Sequence, residues 1–248
     1  MKRLLKILIF VFCVQLGFAQ ERTVQNRPYT DLRQFHLGVI VGMHLQDLEF
    51  VNAGPRMIDL EDGNGLVEKL VSVDQDRWDA GFTVGVLGEL RLNTHFQLRI
   101  APTMYFGTRH IVFRNLTDRN ALGEPTEQAQ DLKTAYISCA FDLIAAAPRF
   151  NNHRPYVMLG LNPMMNLSRK NNQFLKLKSS DIFLEVGMGC DFYLPYFKLR
   201  PELKFMFGLS NVLDNQHVKD LNDKNLMINA NAAREVHSKM VALTFYFE

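Results

Sequence analysis

The chain has 248 residues, with 28 lysines and arginines against 26 aspartates and glutamates and a formal net charge of +2. That balance carries no electrostatic footprint for nucleic acid as a partner. Hydrophobic residues make up 47%, yet the mean hydropathy is only -0.09. The low average excludes a bundle of spanning helices but not a β-barrel, whose strands are apolar on one face alone.

Lys2, Arg3 and Lys6 begin an apolar run over residues 4–14, and Gly17-Phe18-Ala19 offers small residues for cleavage. This is the pattern of a secretory signal peptide over residues 1–19. The run is too short for a spanning helix, and Cys13 behind bulky Phe12 makes a poor lipoprotein site. Residues 20–34 read as an N-terminal periplasmic segment, and 35–248 as one outer-membrane barrel domain. Cys139 and Cys190 remain after export, both on apolar strand faces, and read as lipid-facing or buried thiols.

Eight segments then alternate with the period of two that defines a strand. They lie near 35–47, 78–92, 95–109, 133–147, 154–168, 181–195, 197–210 and 236–247. The sixth is the clearest. Ile182, Leu184, Val186, Met188, Cys190, Phe192 and Leu194 share one face; Asp181, Phe183, Glu185, Gly187, Gly189, Asp191 and Tyr193 share the other. The connections also alternate. Those at 93–94, 148–153 and 195–196 are short, while those at 48–77, 110–132, 169–180 and 211–235 are long and polar. Short periplasmic turns, long external loops and an even strand number define an up-and-down transmembrane β-barrel of the outer membrane. The expected fold is therefore all-β and antiparallel, with about eight strands.

Outward aromatics agree. Phe35, Phe96, Phe192, Phe197, Phe245 and Phe247 fall at the ends expected in the periplasm, as an interfacial girdle, and Trp78 and Phe106 mark the other rim. The last strand is aromatic-rich, although Glu248 stands one residue beyond the usual terminal aromatic. Pro102 and Pro163 sit inside strands on the outward face, where a missing N–H predicts a bulge or a strand end.

The inward positions carry charge of both signs. Glu89, Arg91, Arg99, Asp142, Glu185, Asp191, Arg200, Glu202 and Lys204 form the expected lumen network, with Asp79 and Lys198 on the same face. Eight strands enclose a lumen just wide enough for side chains, so the network reads as a salt-bridged plug; a proton or ion path is the sharper alternative. Inward glycines such as Gly160, Gly187 and Gly189 make room for long partners.

Catalytic chemistry on small barrels needs a serine beside a histidine at the outer-leaflet rim. His237 and Ser238 are adjacent and so face opposite ways, and His110 has no obvious serine beside it. His36 and His44 share a face too far apart to share a metal. No catalytic, cofactor or metal site is expected, and outer-membrane lipid is the expected surrounding.

The chain resembles the PorT family, called SprT in gliding relatives. The likeness lies in Phe35-His36-Leu37-Gly38-Val39 with Gly42 and Leu48, and in Leu90-Arg91-Leu92, Phe96-Gln97-Leu98-Arg99, Pro102 and Phe106-Gly107. It continues in Asn151-Asn152-His153-Arg154-Pro155-Tyr156-Val157. It is strongest in Asp191-Phe192-Tyr193-Leu194-Pro195-Tyr196-Phe197-Lys198-Leu199, Pro201-Glu202-Leu203-Lys204-Phe205 and Phe207-Gly208-Leu209-Ser210-Asn211-Val212-Leu213. The resemblance implies a small outer-membrane barrel of the Bacteroidetes type IX secretion system. It also implies a non-enzymatic part in exporting cargo with a C-terminal sorting domain, alongside other secretion-system proteins. The competing expectation is a structural or adhesive barrel acting through its loops, where Leu116 and Val212-Leu213 are apolar spots for a partner. A small pore is disfavoured by the filled lumen.

Overall fold

The computed structural model describes residues 24–59, 66–119, 123–168, 175–214 and 232–248. The signal peptide assigned to residues 1–19 lies outside the described residues. Eleven strands follow in order: β1 Phe35–Asn52, β2 Arg56–Asp59, β3 Leu66–Lys69, β4 Val71–Asp74, β5 Asp79–Arg91, β6 Phe96–Arg119, β7 Pro125–Ala146, β8 His153–Asn166, β9 Ser180–Tyr193, β10 Lys198–Gly208 and β11 Ala233–Phe247. Among the described residues no helix is long and apolar enough to cross a membrane.

Eight of these strands close a ring in the order β1, β5, β6, β7, β8, β9, β10, β11 and back to β1. Each neighbouring pair is antiparallel. Following the register around the ring gives the stagger. Phe35 faces Leu90, then come Leu98, Leu143, Leu159, Val186, Phe205, Val241 and finally Leu45. The path returns to β1 ten residues from its start, at 45 instead of 35. Ten rises of about 3.4 Å against eight strand spacings of about 4.8 Å tilt the strands by roughly 40°. All nine residues on this path are apolar and lie on the outer face. The outer wall is thus apolar all the way around.

Several strands run further than the alternation suggests. β6 and β7 form one long hairpin, so most of 110–132 is strand and not loop. β1 continues to Asn52, and the 48–77 connection holds β2, β3 and β4. Above Gly81, β5 leaves β6, and β4 takes its place by pairing Val71–Asp74 with residues 112–115. These extensions enclose a second core, made of Leu48, Val71, Val73, Ile111, Phe113, Leu132, Val212, Val236 and neighbours. Val212 and Leu213, expected as exposed docking spots, are buried in it; Leu116 stays exposed.

The prolines produce no bulge. Between β5 and β6 the pairing passes from Gly85–Thr103 to Gly88–Ile100, skipping Pro102. Between β7 and β8 it passes from Ser138–Met164 to Phe141–Leu161, skipping Pro163. Pro201 is skipped likewise between β9 and β10. In each case the register is the same on both sides. Proline withholds its N–H, and the flanking pairs hold the strands in step.

Candidate functional site: a filled lumen

The interior is built in tiers, because inward residues two apart on a tilted strand stand one above another. At the end with the short turns, residues 24–33 cross the mouth as a strap. Asn26 donates from Nδ2 to the Tyr193 carbonyl at 3.0 Å, and Arg27 from Nη1 to the Glu248 carbonyl at 3.0 Å. Arg149 donates to the carbonyls of Asn26 and Arg27 and lies over the Tyr193 ring, 3.6 Å from its centroid. The Tyr193 hydroxyl donates to Asp31.

Above the strap, the Glu248 side chain turns inward, pairs with Lys198, and lies 3.4 Å from Arg200 Nη2 and 3.6 Å from His36 Nδ1. The residue beyond the terminal aromatic therefore has a structural use. Arg200 comes next, held between Asp191 and Glu89, with Nη1 2.5 Å from Glu89 Oε2. Arg99 donates twice from Nη1 to Glu202, at 3.1 and 2.8 Å, and stands 3.6 Å from Glu89 and 3.7 Å from Asp142. Glu202 also accepts from the Tyr156 and Tyr246 hydroxyls at 2.5 and 2.7 Å. One tier higher, Glu185 accepts from Lys204 at 3.2 Å and from Asn162 at 2.5 Å. His44 bonds Thr83 at 2.9 Å and meets the Tyr105 ring edge-on. Arg109 then donates to Gln46 at 3.0 Å and sits over Tyr136.

Eight of the nine residues expected in the network line this column. Arg91 does not: it donates to the carbonyls of Asn93 and Leu32, at the turn and the strap. Glu248, Tyr156, Tyr246, Asn162 and Arg109 join the column beyond the expected network. All five hold inward positions, so the strand alternation itself was the available signal. Asp142 stands apart from the rest, because neither carboxylate oxygen accepts a hydrogen bond from a described residue.

Isolated buried charges are costly, and they are tolerated here because opposite charges and hydroxyls surround nearly all of them. Glycines make the fit possible. A Cβ on Gly160, which faces Asp142 across the β7–β8 pair, would fall 2.1 Å from Asp142 Oδ1. A Cβ on Gly189, opposite Tyr156, would fall 2.3 Å from the Tyr156 hydroxyl oxygen. Large inward groups thus lie over neighbours without side chains.

The outer face carries the aromatics. Phe35, Phe96, Phe192, Phe197, Phe245 and Phe247 are all exposed on it, with Phe197 and Phe247 5.9 Å apart by centroid. Trp78 and the stacked pair Phe82–Phe106 lie toward the opposite rim. His110, at that rim, is engaged by carboxylates: Asp79 at 2.7 Å on Nδ1 and Asp131 at 3.5 Å on Nε2. Cys139 and Cys190 are both free thiols.

A closed ring of eight tilted strands, apolar outside and charged inside, is built for a lipid bilayer. A model of the family described as the outer membrane protein beta-barrel domain matches residues 18–214. The chain belongs to this family. It is an outer-membrane β-barrel, with short turns at the strap end and long connections at the other. No curated protein matches the chain. Among solved structures, OprG from Pseudomonas aeruginosa is similar over 86% of this chain and 92% of its own, at 12% identity and a TM-score of 0.43. Neisserial surface protein A is similar over 86% and 98%, at 13% identity and a TM-score of 0.38. Ail of Yersinia pestis, solved with the heparin analogue sucrose octasulfate, is similar over 87% and 99%, at 13% identity and a TM-score of 0.36.

Proposed function

We propose that this barrel is a non-enzymatic component of the type IX protein secretion system, needed for export of cargo that carries a C-terminal sorting domain. The observation that carries the reading is the PorT-like block at residues 191–213. Its members do connected work: Asp191, Lys198, Arg200, Glu202 and Lys204 tie the lumen together. Ser210 and Asn211 brace the upper end, and Val212 and Leu213 fill the core above the barrel.

The filled column and the strap also favour an accessory role over a conduit. A polypeptide has no path through a lumen occupied by Arg99, Arg200, Tyr156 and Tyr246. The barrel would act through its surfaces, on other secretion-system proteins or on their cargo. The test is a clean deletion in the native host, with proteins bearing the sorting domain compared between cell surface and periplasm by mass spectrometry. Periplasmic accumulation of the whole class, reversed by complementation, is the expected result. Normal surface display would leave a structural or adhesive barrel as the better account.

A further inference from the structure

We propose that the outer wall over β7–β9 holds a phosphorylated, multiply acylated lipid of the outer leaflet. Its phosphates meet Lys133 and Lys178, and an acyl chain lies in the cleft below Lys178. That cleft, about 750 Å³, opens where the β7–β8 ladder skips Pro163. Its floor is Pro102, Cys139 and Pro163, short side chains on a wall that elsewhere presents Phe141, Leu159 and Leu161. Its upper end reaches Lys178, Ser180 and Asn211. The cleft is therefore apolar at lipid depth and polar at headgroup depth.

Charge selects the occupant. Lys178 donates to the Asn211 carbonyl at 2.7 Å and forms no ion pair among the described residues. Asp181, which also lines the cleft, accepts at Oδ1 from Ser210 and from the Ile182 N–H and makes no ion pair with Lys178 among the described residues. A second groove, lined by Ala80, Thr108 and Ala135, ends at Lys133. Lys133 also lacks an ion pair among the described residues, since its strand neighbour Asp131 leans to His110. Other basic side chains described on the outside of this end are paired: Lys69 with Asp118, Arg114 with Asp76 and Glu127, Lys176 with Asp214, and Lys239 with Glu49. The two exceptions both crown grooves in the lipid-facing wall. By strand spacing and rise they stand roughly 12 Å apart, at the level of Trp78. Lysine binds phosphate as a point charge, and its stem reaches from apolar wall to headgroup. Two such charges fit a lipid with two separated phosphates.

The full chain, purified in a neutral maltoside detergent, is tested by native mass spectrometry. The probes are a bis-phosphorylated, hexa-acylated glucosamine disaccharide, its dephosphorylated form and inorganic phosphate. Wild type is expected to retain the phosphorylated lipid, and Lys133→Gln/Lys178→Gln to lose about tenfold in bound fraction. Cys139→Trp, which fills the cleft and leaves both lysines, is expected to lose several-fold. Lys133 and Lys178 are exposed and Cys139 is half-buried on the outer wall, and folding of each variant is checked by heat-dependent gel mobility. Equal retention by the double lysine variant, or equal binding of the dephosphorylated lipid, would overturn the proposal. So would displacement by millimolar inorganic phosphate, which indicates a bare anion site, or a second copy of the chain bound in place of lipid.

Discussion

The inward face of the same strands mixes charge with apolar and aromatic side chains in one half of the molecule and is apolar in the other. On β1 the inward residues Ile40, His44 and Gln46 are followed by Leu48; on β6 Arg99 and Arg109, with Ala101, Thr103 and Tyr105 between them, are followed by Ile111 and Phe113; on β11 Met240 and Ser238 give way to Val236. No register shift separates the two halves on these strands at that level. What changes is the medium outside. Below the boundary the outer face meets lipid, so charged side chains must turn inward, where apolar groups such as Ile40, Met206 and Met240 pack among them. Above it the outer face meets water, with Asp131, Lys133 and Lys239 exposed or partly so, and each Å² of apolar surface buried inside contributes about 25 cal/mol. The lower half joins charge pairing to apolar packing, and the upper half rests on hydrophobic burial.

The sharpest way to break this contrast is to remove one cation below. Arg99→Met leaves Glu202, and in part Glu89 and Asp142, without their partner. It is expected to cost about 3–5 kcal/mol, the usual penalty for orphaning a buried charge. Urea titration of the protein folded in lipid vesicles measures it, and a loss under about 1 kcal/mol would mean the column is not held by charge. Replacing both members of a pair, Lys204→Met with Glu185→Met, should cost far less, because no uncompensated charge remains.

Above the boundary the large effect is a cavity. Phe113→Ala is expected to cost about 3–5 kcal/mol while leaving the column below intact. Hydrogen exchange separates the two: the amides at 111–113 and 232–236 should lose protection and those of β9 and β10 should keep it. Equal loss everywhere would join the two cores into one cooperative unit. A middle-sized effect is expected at Gly160. Valine there would drive a methyl into Asp142, and overpacking of this kind costs about 1–3 kcal/mol, read in the same urea titration.

How much of this was legible depended on which medium the strand faced. Within the bilayer, alternation alone sorted Ile182, Leu184 and Val186 from Asp181, Glu185 and Asp191, and gave the eight-stranded barrel. It failed where the medium changed. His110, Val112 and Arg114 face outward and Ile111 and Phe113 inward, a good alternation that reads as loop if strands are expected to stop at the membrane. Pairing within the column could not be read either. Glu202 takes Arg99 from 103 positions away, a contact fixed by the ten-residue stagger and by no local pattern. Arg91 shows the reverse error: it has the inward parity, but lies so near the turn that the strap's carbonyls are the nearer acceptors.

The smallest effect belongs to the water-facing exterior of the upper half, where charge should matter least. Lys239 Nζ lies 2.6 Å from Glu49 Oε2 on the exposed face of β1 and β11. The ammonium holds the Glu49 carboxyl below its usual range, so the folded state binds its proton less readily than the unfolded chain does. The pair's contribution is therefore present above the ordinary glutamate value and fades as pH falls through the depressed one. Solvent and salt screen an exposed pair of this kind. Lys239→Met should return the Glu49 titration midpoint, followed by carboxyl carbon NMR, toward the ordinary value and barely move the urea midpoint at neutral pH. A loss comparable to Arg99→Met would break the contrast, since it would show charge specifying the upper half as strongly as the lower.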